Sequence, residues 1–120
     1  MSMNRSKVDN GNAARHPLIS EFANDADMAE LIEFFLSELD HRLQVLQAAW
    51  DTGNLEQVQS LSHQLKGAAG GYGFPSISEV AAELEHALAI HTPGSTLPRD
   101  RFESLMSQLR RAQAGAHHVD

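Results

Sequence analysis

The sequence predicts an all-α protein: an antiparallel four-helix bundle in up-down-up-down order, with an N-terminal strap or short helix laid onto it. Three observations lead there. Apolar residues recur at steps of three and four in four separate stretches. Glycine, proline and asparagine punctuate the ends of those stretches. No stretch alternates apolar with polar residues as a half-buried strand does. Four amphipathic helices joined by short connections bury their stripes most simply against one another.

Residues 1–16 are polar, Asn-rich and aperiodic, and read as a disordered tail. Leu18, Ile19 and Phe22 form a small apolar cluster suited to a strap. The first long helix is expected from about Asp27 to Asp51, with Asp25 and Asp27 as N-cap candidates. Met28, Ile32, Phe35, Leu39, Leu43, Leu46 and Trp50 form its inner face, and a break near Glu38–Asp40 is left open. Thr52-Gly53-Asn54 stops it. The second helix is expected from Leu55 to Tyr72, where Gly70, Gly71, Gly73 and Pro75 crowd its end. The third is expected to begin at Ser76, with Ser76 and Glu79 at capping-box spacing and Ile77, Val80, Ala81, Leu84 and Leu88 facing inward. Thr92-Pro93-Gly94-Ser95 is a loop. The fourth helix is expected from Pro98, at the first helical position, to about Ala114, with Phe102, Leu105, Met106 and Leu109 inward. The bundle thus spans residues 17–115, with a flexible C-terminus over 116–120.

Composition narrows the function. With 120 residues the chain makes one domain, and 42% hydrophobic content supports a core. The formal charge of −7, with no basic stripe, argues against nucleic-acid binding. There is no cysteine, hence no disulfide framework or thiolate metal site. No apolar run has the length of a membrane span, and the N-terminus lacks a signal-peptide pattern, so a cytoplasmic protein is expected. No Gly-rich phosphate loop ends in Lys-Ser or Lys-Thr, so ATP binding and self-phosphorylation are not supported.

The second helix carries the chemistry. At 100° per residue, Leu55, Val58, Leu61, Leu65, Ala68, Ala69 and Tyr72 fall on one side with only Ser62 among them. The opposite arc holds Glu56, Gln57, Gln59, Ser60, His63, Gln64, Lys66, Gly67, Gly70 and Gly71, with His63 near its middle. Lys66 and Gly67 sit beside His63 on the helix surface, and Gly70 one turn on. An exposed helical glycine costs about 1 kcal/mol relative to alanine. Alanine appears instead on the buried side, at Ala68 and Ala69. Bare backbone beside a histidine and a lysine gives a partner room to approach. Neutral imidazole is a nucleophile near neutral pH, and an ammonium one turn away steadies a phosphoryl group placed on it.

The run His63-Gln64-Leu65-Lys66-Gly67-Ala68-Ala69, followed by Gly73, resembles the histidine phosphotransfer (HPt) domain of phosphorelay systems. The segment from Ile77 to Glu85 is similar to that family's next helix, and the resemblance covers roughly residues 28–112. It implies a phosphocarrier rather than an enzyme: His63 as phosphoacceptor, Lys66 as phosphoryl stabiliser and Gly67 as clearance for a receiver domain. Glu85 falls where the family often carries a polar residue near the histidine. A carboxylate there would orient the imidazole, but would also repel an incoming phosphoryl group. The implied partners are a receiver domain and a sensor histidine kinase, with any Mg2+ supplied by the receiver, no cofactor held by the chain itself, and a monomeric state. Gln59, Ser60, Gln64 and Gly70 would form the polar centre of the docking face. Phe34 and Val45, off the main apolar stripe, would be its greasy part unless Leu18, Ile19 and Phe22 cover them.

His41 and His86 lie on outer faces, His91 near a helix end, and His16, His117 and His118 in the terminal segments. None has a companion at the spacing of a helical zinc pair, and no metal site is expected. Three other readings compete. A bundle of this fold could be an interaction module that carries no phosphate. A phosphatase or transferase would need a concave pocket and a second polar cluster. A chemotaxis-kinase phosphoacceptor domain would be one piece of a longer chain.

Overall fold

The structure, a computed structural model, describes residues 16–118, and the expected N-terminal tail therefore lies almost wholly outside the described residues. A 3-10 turn, Ala26–Met28, leads into five helices: α1 (Ala29–Ser37), α2 (Leu39–Asp51), α3 (Leu55–Gly71), α4 (Pro75–Ala89) and α5 (Arg99–His118). Among the described residues there is no strand. Helices α2 to α5 form the four-helix bundle: α3 packs on α2 and α4, and α5 closes the ring against α4 and α2. The short connections make successive helices antiparallel. No described helix is long and apolar enough to cross a membrane.

The inner faces form the core. Leu39, Leu46 and Trp50 of α2 meet Val58, Leu65 and Ala69 of α3, Ile77, Ala81, Leu84 and Leu88 of α4, and Phe102, Leu105, Met106 and Leu109 of α5, all buried. Trp50 stacks on Phe102 with ring centroids 4.3 Å apart. Ser62, the polar exception on the inner face of α3, is fully buried and returns its hydroxyl to the Val58 carbonyl at 2.8 Å.

The first long helix is broken where the sequence left the question open. Glu38 adopts φ −92°, ψ −7°, and its N–H turns back to Phe35 and Leu36 carbonyls, so α1 and α2 meet at a bend. Asp25 caps the 3-10 turn by accepting the Asp27 N–H at 2.9 Å, while Asp27 itself lies inside that turn rather than capping it.

Two helix ends use glycine as expected. At the end of α2, Gly53 has φ +75° and Asn54 N–H reaches the Ala49 carbonyl at 2.9 Å. At the end of α3, Gly73 has φ +87° and Phe74 N–H reaches the Ala69 carbonyl at 2.9 Å. This is the left-handed stop that glycine adopts without Cβ strain. Asn54 then caps α3, its Oδ1 accepting the Gln57 N–H at 3.2 Å.

The starts of α4 and α5 correct the sequence reading. Pro75 occupies the first turn of α4, where its missing N–H costs nothing, and Phe74 takes the cap position. Ser76 is thus already helical, and its hydroxyl bonds Gln108 Oε1 of α5 at 3.0 Å instead of forming a capping box. Helix α5 begins at Arg99, so Pro98 is its cap, with its carbonyl accepting the Phe102 N–H at 3.1 Å. The helix continues through 116–118, past the expected end at Ala114.

The strap forms as expected. Leu18 N–H donates to Arg111 O at 2.9 Å, Glu21 N–H to Gly73 O at 2.8 Å, and Ser20 Oγ to Tyr72 O at 2.6 Å. It therefore ties α5 to the end of α3. Two glycines seat it. A Cβ at Gly115 would stand 2.5 Å from the Leu18 carbonyl oxygen, and one at Gly73 would run into Ser20 Oγ.

Candidate functional site

Helix α3 presents His63 on its outer face with 64% of the side chain exposed. The inner anchors Val58, Leu65 and Ala69 fix the rotation of the helix, so His63 cannot turn inward without pulling these groups from the core. The face around it is polar as expected: Ser60, Gln64, Gly67, Gly70 and Gly71 are exposed, and Gln59 and Lys66 half-buried.

Glu85 is the residue that completes the site. It projects from α4 and is 22% exposed. Its Oε2 lies 2.8 Å from His63 Nδ1, and its Oε1 lies 3.1 Å from Lys66 Nζ. One carboxylate thus spans the histidine and the lysine from the neighbouring helix. The Glu85 carboxyl is held below the usual carboxylate range, first by the hydrogen bond from Lys66 and further by the His63 contact, against partial desolvation that pushes it up. An ionised carboxylate only accepts hydrogen bonds, so Nδ1 is the donor in this contact. Nε2 is the ring nitrogen that Glu85 does not engage.

The α3–α4 seam is drawn close here. Ser78 Oγ of α4 donates to the Lys66 carbonyl at 2.8 Å. A Cβ on Gly70 would come to 3.4 Å from the same hydroxyl, an ordinary contact. A Cβ on Gly67 or Gly71 would meet nothing within 4 Å. Nothing among the described residues therefore requires Gly67 to be bare, whereas Gly70 already has Ser78 as a neighbour.

The expected apolar docking residues flank the histidine at a distance. Phe34 is 60% exposed, so the strap does not cover it. Helix α1 reaches α3 through Phe35 against Tyr72, with rings 5.4 Å apart. Tyr72 lies nine residues past His63, about 14 Å along a helix axis. Val45, half-buried on α2, lines a shallow groove with Gln57, before His63 on α3. Leu31, one turn before Phe34 and 47% exposed, was not singled out in the sequence. Its place at the edge of the α1 stripe could have flagged it.

A groove of about 780 Å³ runs under the strap between α1 and α5 and includes Leu18, Ile32, Leu36 and Phe74, but none of His63, Lys66, Gly67 or Glu85. The histidine stands on an open surface. Among the described residues no three His, Asp or Glu side chains gather as a metal site. His41 and His86 are exposed, and His91 Nε2 contacts the Ser95 carbonyl at 3.3 Å.

In comparisons with known proteins, a family model described as Hpt domain matches residues 30–115. No curated protein and no solved structure matches the chain. The matched span begins in α1, ends in α5, and contains His63, Lys66, Gly67 and Glu85.

Proposed function

The chain belongs to the Hpt domain family, and from that premise we propose that His63 accepts a phosphoryl group from an aspartyl phosphate, or from a histidine kinase, and passes it to a receiver-domain aspartate in a phosphorelay. The observation that carries this reading is the exposed His63 ring with Nδ1 tied to Glu85 at 2.8 Å and Nε2 left open. Phosphoryl transfer depends chiefly on positioning and charge neutralisation, so a carrier needs little besides an oriented nucleophile and a nearby cation.

Lys66 is the cation. Its ammonium rests on Glu85 and lies one helical turn from His63, where it neutralises charge on an arriving phosphoryl group. Glu85 orients the imidazole. Gly67 leaves room for the receiver, and Gln59, Ser60, Gln64 and Gly70 surround the histidine as the polar centre of the docking face, with Phe34 and Val45 towards its ends. The divalent cation used in such transfers comes with the receiver. The chain acts as a monomeric carrier without turnover of a small substrate, and its partners are a receiver domain and a sensor histidine kinase.

Gly67 separates stability from transfer. Gly67→Ala should stabilise the protein by about 1 kcal/mol in urea unfolding, because the position is helical and open. Gly67→Gln should leave the fold intact and slow transfer by obstructing docking. Transfer at the wild-type rate in Gly67→Gln would contradict the clearance role.

The reading is tested by incubating the chain with phosphorylated receiver domains and characterising the bound phosphate. An acid-labile, base-stable linkage is expected, as for a phosphoramidate. An acid-stable ester would point to a different chemistry.

A further inference from the structure

Glu85 occupies both of its oxygens, one on the His63 ring and one on Lys66. It comes from α4, so its two contacts join that helix to α3 at the histidine. We propose that Glu85 keeps the hydrogen on Nδ1 of the phosphorylated His63 ring and thereby sets how fast the phosphoryl group leaves. This rests on His63 being a phosphoacceptor and deepens that reading.

The bookkeeping of the transfer shows why the hydrogen matters. The Nε2 lone pair attacks the phosphorus of an aspartyl phosphate. The P–N bond forms, the P–O bond breaks, and its electron pair leaves on the aspartate carboxylate. Nδ1 keeps its hydrogen, so the ring becomes cationic and no proton is exchanged with water. On the way out, the P–N pair returns to Nε2 and the ring departs as neutral imidazole. If the Nδ1 hydrogen were lost, the ring would have to depart as imidazolate, a much poorer leaving group. A carboxylate that accepts the Nδ1–H bond favours the charged ring over the neutral one. It also places negative charge near the phosphoryl dianion. Both effects make the phosphohistidine a ready donor.

Glu85 is suited to this because it stays ionised: the Lys66 hydrogen bond holds its carboxyl low. Glu85 from α4 pairs with the ring, and Lys66 from α3 pairs with Glu85. The other ion pairs among the described residues, Arg42–Glu38 and Arg99–Glu103, join neither His63 nor its two partners. Glu85 is thus a positioning residue whose charge, not only its shape, is in use. Glutamine at the same place could still accept the Nδ1–H bond but would not favour the cationic ring.

The test uses the full chain, Glu85→Gln and Lys66→Met. Each is loaded with phosphoramidate, a small donor that needs no receiver and releases ammonia. Loss of phosphate from His63 is then followed by phosphorus NMR from about pH 6 to pH 9, across the range in which imidazole ordinarily titrates. Wild type and Lys66→Met are expected to lose phosphate at rates that change little with pH. In Glu85→Gln the rate should fall about tenfold or more from the low end to the high end, as the unassisted ring gives up its Nδ1 hydrogen. Parallel profiles for wild type and Glu85→Gln would overturn the inference. Failure of His63 to take phosphate from phosphoramidate in wild type would instead bring down the phosphoacceptor reading on which it rests.

Discussion

Replacing His63 by glutamine is expected to abolish phosphoryl acceptance while leaving the fold essentially unchanged. Glutamine offers no nucleophilic nitrogen at neutral pH, so no P–N bond can form. The structural cost is small for three reasons. The side chain is 64% exposed. Its hydrogen bond is with Glu85, whose other oxygen still holds Lys66. The helix is fixed by Val58, Leu65 and Ala69 on the far side. Surface substitutions of this kind usually change stability by less than about 0.5 kcal/mol. Circular dichroism and urea unfolding check the second half, and a phosphate-sensitive gel the first. Retained labelling in His63→Gln would mean that another residue accepts the phosphate.

The largest expected effect on stability comes from Gly73→Ala. Gly73 has φ +87°, a region that alanine enters only at a cost of about 1–2 kcal/mol. The new methyl would also collide with Ser20 Oγ and stand 3.0 Å from both Glu21 N and the Phe22 ring. Relieving that collision disturbs two strap bonds, Ser20 Oγ to Tyr72 O and Glu21 N–H to Gly73 O. A hydrogen bond contributes about 1 kcal/mol net, so a total loss of about 2–4 kcal/mol follows in urea unfolding. Amide exchange at Glu21 should accelerate before the core amides do. A change under about 0.5 kcal/mol would show that the strap does not bear on this turn.

These two positions illustrate what the sequence discloses and what it withholds. The inner face of each helix repeats every three to four residues, so Leu65, Leu84 and Leu105 could be placed in the core before any coordinates. The same periodicity put His63 outward. Glu85 could be brought near His63 only through the family resemblance, because the pairing of α3 with α4 leaves no local signal. The structure gives the pairing a distance and adds that the same carboxylate holds Lys66. The strap's seat was not legible at all. Gly115 falls just past the expected helix end at Ala114, and its purpose appears only when the Leu18 carbonyl lies across it. Phe74 sits between Gly73 and Pro75, outside any repeat, yet it is buried and stacks on Phe35 at 5.5 Å. The capping box at Ser76 failed for a related reason. Pro75 is itself a good first helical residue, so the helix starts before the serine can cap it.

The bend at Glu38 had the opposite difficulty. Apolar residues keep their spacing through it, from Phe35 to Leu39, so periodicity alone could not decide between one helix and two. The exposed pair Leu31 and Phe34 belongs to the shorter helix that the bend creates.

The most direct measurement of the central claim is to expose the chain to a panel of phosphorylated receiver domains and locate the phosphate by fragmentation mass spectrometry under neutral conditions. Phosphate on the peptide containing His63, at the histidine, is the result predicted. A chain that stays unlabelled by the whole panel, with its helical fold intact by circular dichroism, would contradict the account and leave an interaction bundle that carries no phosphate.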